Sequence, residues 1–355
     1  MYKRQAIDAF VFDDNGQLYI TWKAYGLDPD RPIELLGCRL SPDGLRLEGE
    51  PFTMLVDTEE IGMEGQCLFK KGKYYYMLYS TRDCCSDRSD YEVYVARAEK
   101  ITGPYEKYQN NPILKGDGRD VQSCGHGTMT ETPDGRMFYI CHSFMKGTDF
   151  YLGRQPMMQE IVLTDDGWVR FKTGQTTKTK QKTPFGTSVK LQNVFYDDFS
   201  SAVLNPGWTG SIQSRRQRPM PSGGSLLLPS AAQGAGEYSS ALSSRPSSAD
   251  YNYETHMACG GNSLRGLAYI SNAANMVVFG TERGKLVIRQ VKDGHASDLF
   301  AGQYDGDDIW LGISVDDVKT LRFFYSSDGK KWQSVDDLVT NVFASVRKSY
   351  YKPGI

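Results

Sequence analysis

The feature of this sequence that most constrains its fold is a strand–turn–strand pattern that occurs three times in the first half of the chain. The copies read DAFVFDDNGQLYITW at 8–22, GQCLFKKGKYYYMLYS at 65–80 and GTMTETPDGRMFYICHSF at 127–144. Apolar runs separated by Asn-Gly, Asp-Gly or another turn glycine are strong hairpin signals. Further strand-like segments follow each hairpin, so each repeat predicts a sheet of about four strands, the size of a β-propeller blade.

Three such repeats do not close a propeller. The repeat is already under way at Asp8. Because propellers typically have about four to eight blades, we expect about two more to precede this sequence or to come from another chain. A degenerate propeller is the alternative.

The composition changes after Phe171. Residues 172–188 read KTGQTTKTKQKTPFGTS, a polar stretch without apolar periodicity. Short strands such as MVVFGTE, KLVIRQV and IWLGISVD follow, with turns between them, a spacing typical of a β-sandwich. We therefore predict an all-β chain with three parts: a partial, three-blade propeller that forms a catalytic domain at 1–175, a linker at 176–190 and a jelly-roll sandwich at 191–355.

Bulk properties exclude two classes of partner. The net charge is -2 and no Lys/Arg patch is interleaved with aromatic residues, so nucleic acid is not an expected ligand. No apolar run approaches the ~18 residues of a membrane span.

The seven cysteines are odd in number and fit no zinc pattern, so we expect them to be free and mostly buried.

Each repeat places an ionisable residue near the start of its first strand. Asp8 and Glu64 each lie 8 residues before their turn glycine, and His126 lies 9 residues before its own. The innermost strands of a propeller run along its central channel, so residues at one phase of these strands converge. We predict that Asp8, Glu64 and His126 share a polar pocket. The alternative is that each is an ordinary solvated or turn-capping group.

Paired carboxylates in an aromatic-rich pocket suit glycoside hydrolysis. One carboxyl must stay protonated to donate to the leaving oxygen, and a neighbouring carboxylate raises its pKa. Glu64 lies between Met63 and Gly65, which fits a partly desolvated acid. His142 is interpreted as structural. Four aromatic residues are candidates for stacking on a sugar ring, with core packing as the alternative: Trp22, Tyr25, Tyr151 and Trp168.

Several motifs together resemble glycoside hydrolase family 43 over about residues 1–171, among them AIDAFVFDDNGQLYITW, EGQCLFKKGKYYYMLYS, ITGPYEKYQNNPIL and CGHGTMTETPDGRMFYICH. That family comprises five-bladed propellers, including β-xylosidases and α-L-arabinofuranosidases, and the second region resembles the concanavalin-like sandwich often attached to them. The resemblance implies that Glu64 is the general acid and that Asp8 tunes its pKa. It also implies that Arg154 holds substrate hydroxyls or the catalytic base, a task that suits a guanidinium fork, and that His126 lies near an axial metal, often calcium.

The family's catalytic base, an aspartate of the first blade, has no match in this sequence. The family inverts configuration, which requires a base that activates water and carboxyl groups about 6.5–9.5 Å apart. We therefore predict a truncated, inverting, exo-acting glycosidase for xylose- or arabinose-containing plant polysaccharide. We expect it to be inactive as it stands and to need no organic cofactor, with Ca²⁺ as a candidate axial ion. Non-catalytic carbohydrate binding and a galactosidase of the same fold are the alternatives. We expect a secreted or periplasmic location, with any signal upstream of Met1.

Overall fold

The computed structural model of this chain describes residues 6–25, 32–86, 88–146, 154–182, 186, 193–210, 219–228, 241–272 and 274–341. The chain divides into two compact units, Met1–Pro184 and Phe185–Ile355. Every helix or strand within the described ranges is a β-strand, which confirms the predicted all-β class.

The described residues of the first unit form three antiparallel sheets of four strands each, in chain order. The first sheet comprises β1 (Ala6–Asp14), β2 (Gln17–Ala24), β3 (Glu34–Leu40) and β4 (Leu47–Val56). The second comprises β5 (Glu64–Lys71), β6 (Tyr74–Thr81), β7 (Glu92–Ala98) and β8 (Glu106–Lys107). The third comprises β9 (Val121–Glu131), β10 (Met137–Met145), β11 (Arg154–Leu163) and β12 (Val169–Phe171). The predicted hairpins are the first two strands of each sheet.

The second sheet is buried on both faces. Tyr76 and Leu78 pack in one apolar core with Tyr139 of the third sheet. Met77, between them on β6, packs in another core with Leu35 of the first sheet. Successive side chains of a strand point to opposite faces, so β6 contacts both neighbouring sheets. Four-stranded sheets stacked face to face are the arrangement of propeller blades, as predicted.

Over the part of the second unit that the structure describes, there are two four-stranded sheets and two short two-stranded ones. The short pairs join β13 (Thr209–Gly210) with β16 (Leu242–Ser243) and β14 (Met220–Ser222) with β15 (Ser225–Leu227). One large sheet has the order β17 (Tyr251–Ala258), β22 (Asp308–Asp316), β23 (Thr320–Ser326), β24 (Gln333–Asn341). The other has the order β18 (Arg265–Asn272), β19 (Asn275–Glu282), β20 (Lys285–Lys292), β21 (His295–Gln303).

The two large sheets of the second unit share one apolar core. Leu311 and Phe323 come from the first of these sheets, and Phe279 and Ile288 come from the second. Two sheets that enclose a common core form the predicted β-sandwich.

The division between the units falls inside the predicted linker, residues 176–190. The first residues of that segment lie against the third sheet. Thr177 is buried and its N–H donates to the carbonyl of Lys115 at 3.0 Å. Gln159 Nε2 donates to the carbonyl of Lys178, also at 3.0 Å. The domain bounds at 175 and 191 stay predictions.

The cysteines depart from expectation at one place. Cys84 and Cys85 form a disulfide between adjacent residues. The remaining five cysteines are free, and four of these are buried, as predicted.

Candidate active site

The first strand of each sheet in the first unit is interrupted by a β-bulge. The strand pairing shifts at Asp8 in β1, at Gly65 in β5 and at His126 in β9. All three residues have a left-handed backbone, with φ of 57°, 59° and 48° respectively. Asp and His adopt this conformation more readily than most non-glycine residues. A bulge re-aims nearby side chains and is common beside active sites.

Aligning the strands on their turn glycines misplaces the second sheet by one residue. The pairing puts Gly65 at the bulge position, and Glu64 precedes it. The error arises because Gly16 is the second residue of its two-residue turn, whereas Gly72 is the first residue of its own. The turn glycine is therefore not a constant reference point along the strand.

Three predicted side chains nevertheless come together. Asp8, Glu64 and His126 each offer one ligand-type atom, and these atoms lie within 4.8 Å of one another. Their approach depends on Gly65, whose N–H donates to Asp8 Oδ2 at 3.0 Å. A Cβ at Gly65 would lie 2.8 Å from His126 Cγ, so a side chain there would force the cluster apart.

The Glu64 carboxylate is held by two donors. Lys23 Nζ donates to Oε2 and the Tyr91 hydroxyl donates to Oε1, each at 2.8 Å. The Lys23 and Glu64 side chains are only 4% and 13% exposed. Burial by itself raises the pKa of Glu64, but the hydrogen bond and charge of Lys23, with smaller contributions from Tyr91 and His126, lower the pKa below its usual range. Glu64 is therefore ionised at neutral pH.

This direction is opposite to the one expected of a general acid. Asp8 was predicted to hold the pKa of Glu64 up, and in this structure the pKa of Glu64 is lowered instead. The physical reason is that the charge in hydrogen-bond contact with Glu64 is the ammonium of Lys23, whereas Asp8 accepts the N–H of Gly65. A pKa-raising role for Asp8 requires a state in which Lys23 has left the carboxylate.

Further residues of the site come from the second strands and from the position just before β7. Lys23, Ser80 and His142 occupy equivalent positions, each paired with the residue just before a bulge. The Ser80 hydroxyl accepts the N–H of His126 at 2.8 Å. Sequence reasoning missed Lys23, Ser80 and Tyr91. Lys23 is a lone charge in the run YITWKAYG, a signal that was available; Tyr91 and Ser80 carry no comparable signal.

His142 was predicted to be structural and lies beside this cluster. Its ring stacks on Tyr91 with centroids 5.4 Å apart and planes at 12°. Both ring nitrogens are buried and have no hydrogen-bond partner within the described residues. Burial first, then the charges of Arg154 and His126, lower the pKa of His142 to about 4 against an opposing effect of Glu64. The ring is therefore neutral at pH 7.

The two predicted substrate-binding residues lie in different surroundings. Arg154 begins β11, and its Nη2 donates to Cys85 Sγ at 2.8 Å. Trp22 neighbours Lys23 on β2, lies opposite the bulge at Asp8 and is half-buried. Its role in substrate binding stays a prediction.

The remaining aromatic candidates divide as follows. Trp168 is a core residue, 7% exposed and packed against Tyr108. Tyr25 lies under the Lys23 ammonium, 4.3 Å from its ring centroid. Tyr151 falls outside the described residues.

The first unit has stacked four-stranded sheets with two carboxylates clustered at their inner strands, and a β-sandwich follows it in the chain. This combination is typical of propeller glycoside hydrolases. Residues 1–169 match the sequence model of the glycosyl hydrolases family 43. The first unit therefore belongs to glycoside hydrolase family 43. This agrees with the resemblance carried by the sequence motifs.

Curated relatives align with part of the chain. A xylan 1,3-β-xylosidase of Vibrio sp is 32% identical over 156 residues, which are 39% of this chain and 28% of that protein. A β-xylosidase of Bacillus subtilis is 31% identical over 177 residues, or 45% of this chain and 32% of that protein. The alignments thus span about a third or less of these relatives.

Solved structures match nearly the whole chain. A xylan β-1,4-xylosidase from Bacillus halodurans C-125 superposes with a TM-score of 0.77 at 22% identity, covering 95% of this chain and 68% of that one. A family 43 protein from Bacillus licheniformis gives 0.79 at 21% identity, covering 98% and 70%. These matches confirm the propeller-plus-sandwich fold. Within the described ranges, no helix is long and apolar enough to cross a membrane.

Proposed function

We propose that this chain provides the acid side of the active site of an inverting, exo-acting glycoside hydrolase. Its substrate would be an oligosaccharide or polysaccharide that contains xylose or arabinose, in keeping with the names of the relatives that it matches. The observation that carries the proposal is the convergence of Asp8, Glu64 and His126, which lie at or directly before the equivalent bulges of three sheets in a family 43 propeller unit.

Glu64 is the proposed proton donor to the glycosidic oxygen. Its carboxyl group has to be protonated for this step, and the ion pair with Lys23 keeps it ionised. Substrate binding must therefore open that ion pair, after which burial and the neighbouring carboxylate of Asp8 both favour the protonated form. The Tyr91 hydroxyl would keep the carboxyl group oriented throughout.

Asp8 is not the proposed base. An inverting enzyme separates its carboxyl groups by about 6.5–9.5 Å so that a water molecule fits between them. Oxygens of Asp8 and Glu64 lie within 4.8 Å, which leaves no such room. The base would then belong to a propeller blade that this chain does not carry, and this sequence would supply the acid and the substrate contacts.

The cluster is a poor fit to calcium. Ca²⁺ takes about six to eight oxygen ligands, whereas the cluster offers two carboxylates and one imidazole. The Lys23 ammonium, 2.8 Å from Glu64, would repel a cation bound there. His126 as a ligand of an axial ion stays a prediction, and the proposed mechanism assigns no step to a metal.

A second candidate function is carbohydrate binding without catalysis. The observation that favours it is the buried Lys23–Glu64 ion pair, since an acid held ionised cannot protonate a leaving group.

The test is an assay of aryl β-xylosides, α-L-arabinofuranosides and β-galactosides. It uses this chain and a version extended by the coding sequence upstream of Met1. Proton NMR identifies the anomer of the sugar that is released first, which distinguishes inversion from retention. We expect the extended version to hydrolyse a xyloside or arabinofuranoside with inversion. Sugar binding without hydrolysis in both versions would select the binding function. Retention of configuration would overturn the inverting mechanism and point to Asp8 as a nucleophile.

A further inference from the structure

The Gly-His-Gly stretch of β9 lies directly against three hydroxyl-bearing side chains. A Cβ at Gly125 would lie 2.4 Å from Tyr91 Cδ1 and 2.8 Å from Ser80 Oγ. A Cβ at Gly127 would lie 2.6 Å from Tyr139 Cζ. Glycine permits a close approach that any side chain would block. The two glycines therefore bring the backbone of β9 into contact with Ser80, Tyr91 and Tyr139.

The backbone of this stretch donates to two of these three hydroxyls. The N–H of His126 donates to Ser80 Oγ at 2.8 Å, and the N–H of Gly127 donates to the Tyr139 hydroxyl at 2.7 Å. Ser80, Tyr91 and Tyr139 are all fully buried. Buried polar groups are paired within the protein, so each of the three hydroxyl hydrogens needs a protein acceptor.

The Ser80 hydroxyl interacts with both tyrosines. Burial and Glu64 raise the pKa of Tyr91 well above its usual range, and a hydrogen bond with the Ser80 side chain opposes that shift. Burial raises the pKa of Tyr139 as well, and Ser80 is again among the hydrogen-bond partners that oppose the shift. Ser80 therefore links the two tyrosine hydroxyls.

The carboxylate of Glu64 fixes the direction of these hydrogen bonds. An ionised carboxylate only accepts, so the Tyr91 hydroxyl donates to Glu64 Oε1, 2.8 Å away. Tyr91 then accepts the hydrogen of Ser80. Because a serine hydroxyl has one hydrogen, Ser80 accepts from Tyr139 in turn. The hydroxyl chain Tyr139–Ser80–Tyr91 thus gives every hydrogen one acceptor and points all of them toward the acid.

This hydroxyl chain makes the two oxygens of Glu64 different. Tyr91 can donate to Oε1 in both protonation states, since a protonated carboxyl group keeps one oxygen that only accepts. The partner of Oε2 is Lys23 Nζ, at 2.8 Å. Once Lys23 has left, Oε2 is the oxygen that can take up a proton without disturbing the hydroxyl chain.

We propose that Ser80 is a positioning residue for the acid: through Tyr91 it holds Glu64 Oε1 as an acceptor, so that Oε2 carries the transferable proton. In the transfer step the bond between Oε2 and hydrogen breaks, and the hydrogen forms a bond to the glycosidic oxygen. Its former bonding electrons stay on the carboxylate, and the leaving sugar departs as an alcohol. The inference rests on the proposed function, because it takes Glu64 to be the general acid.

The test compares two leaving groups in the version of the chain that hydrolyses glycosides in the assay above. The substrates are xylobiose and arabinobiose, with the dinitrophenyl β-xyloside and α-L-arabinofuranoside as activated counterparts. A sugar needs a proton to leave, whereas dinitrophenolate leaves without one. Ser80→Ala should lower kcat for the disaccharide about tenfold, the effect of one hydrogen bond in a buried chain. Its kcat for the dinitrophenyl glycoside should stay within about twofold of the wild-type value.

Three further variants separate positioning from folding. Ser123→Ala is the matched control, because Ser123 is an equally buried serine whose hydroxyl pairs with Ser89 at 2.7 Å, and it should change neither kcat. Ser80→Cys fills the same space with a weak donor, so it should show the selective loss even if Ser80→Ala folds poorly. Tyr91→Phe should show that loss too, and adding Ser80→Ala to it should lower kcat by less than about twofold more.

The outcomes distinguish the inference from the proposed function. Equal loss of kcat for both leaving groups would show that Ser80 only supports the fold. An unchanged kcat, or losses that multiply when Ser80→Ala is added to Tyr91→Phe, would show that Ser80 does not act through Tyr91. Each of these results would overturn the inference and leave the proposed function standing. If no version of the wild-type chain hydrolysed any of the substrates, the proposed function would fail, and the inference with it.

Discussion

The two units of this chain treat buried polar groups differently. Among the described residues of the sandwich, only two polar side chains are fully buried, Thr281 and Ser326. The propeller unit buries many more, and three of these carry charge. Lys23 pairs with Glu64, Glu92 pairs with Arg82, and Asp57 accepts two backbone N–H groups. A buried polar group costs stability unless it is paired. The core of the sandwich is therefore explained by apolar packing. The propeller unit, in contrast, buries polar and charged side chains, among them Lys23 at the candidate active site.

The backbone shows the same contrast. In the sandwich, left-handed residues such as Arg283 and Asp293 lie in turns between strands. In the propeller unit, Asp8 and His126 adopt this conformation inside strands, at the bulges. Backbone strain within a strand persists only where surrounding contacts hold it, which is typical of functional sites. The comparison supports the proposal that the active site lies at the inner strands of the propeller unit.

The largest expected effect is on catalysis. Glu64→Gln should lower turnover of natural substrates by about 10²–10⁴-fold in whichever form of the chain hydrolyses them, since the amide cannot donate the proton. Sugar affinity should stay within about twofold of the wild-type value, because the side chain keeps its shape. Glu254→Gln in the sandwich is the matched control and should leave turnover unchanged. Undiminished turnover in Glu64→Gln would refute its role as the acid.

The next largest effect is on the sandwich core. Phe279→Ala should lower the free energy of unfolding of the second unit by about 3–5 kcal/mol, because Phe279 is fully buried. Leu299→Ala, at a 37% exposed position, is the control and should cost under about 0.5 kcal/mol. Denaturant melts followed by tryptophan fluorescence would measure both. Loss of sugar binding in a Phe279→Ala protein that remains folded would show that the sandwich also takes part in function, and the contrast between the two units would then fail.

Lys23→Met should destabilise the propeller unit by about 3 kcal/mol, because it leaves the buried Glu64 carboxylate without its charged partner. Adding Glu64→Gln should restore much of that loss, since the amide carries no charge. Lys73→Met is the matched control, because its ion pair with Glu99 is exposed on both sides. Equal melts for Lys23→Met and Lys73→Met would show that the buried pair is not formed in solution.

The smallest effect concerns pH. The pKa of His142 is lowered to about 4 in the folded protein, whereas an unfolded histidine titrates near 6.5. The unfolded chain therefore binds a proton first as the pH falls, so stability present above 6.5 is lost between 6.5 and 4. The loss should reach about 2 kcal/mol after allowance for partial exposure. His142→Phe should flatten this part of the pH–stability curve.

Denaturant melts at pH 7.5, 5.5 and 4.5 would follow that loss. His256→Phe, a substitution of an exposed histidine in the sandwich, is the control and should keep the wild-type slope. An unchanged slope in His142→Phe would contradict the buried, neutral state of that ring.

The strands of the propeller unit could be predicted from the sequence, whereas the bulges and the contacts between distant residues could not. Turn residues between apolar runs indicate the hairpins around Gly16, Gly72 and Gly135, so the strands could be located from the sequence. The bulges could not be, because a shift of strand pairing depends on the partner strand. For the same reason, the sequence did not reveal that Tyr91 donates a hydrogen bond to Glu64 or that Arg154 contacts Cys84. Both contacts join residues that are far apart in the chain.

The sequence by itself determined an all-β chain of two regions, with repeated four-stranded units in the first and an ionisable residue near the start of each unit's inner strand. It could do so because hydrophobic alternation and turn chemistry act over a few residues. Only the tertiary structure decided that Lys23 neutralises Glu64, that Asp8 accepts a backbone N–H, and that Cys84 and Cys85 form a disulfide. Those outcomes depend on distances between residues far apart in the chain, and electrostatic and hydrogen-bond energies are set by such distances.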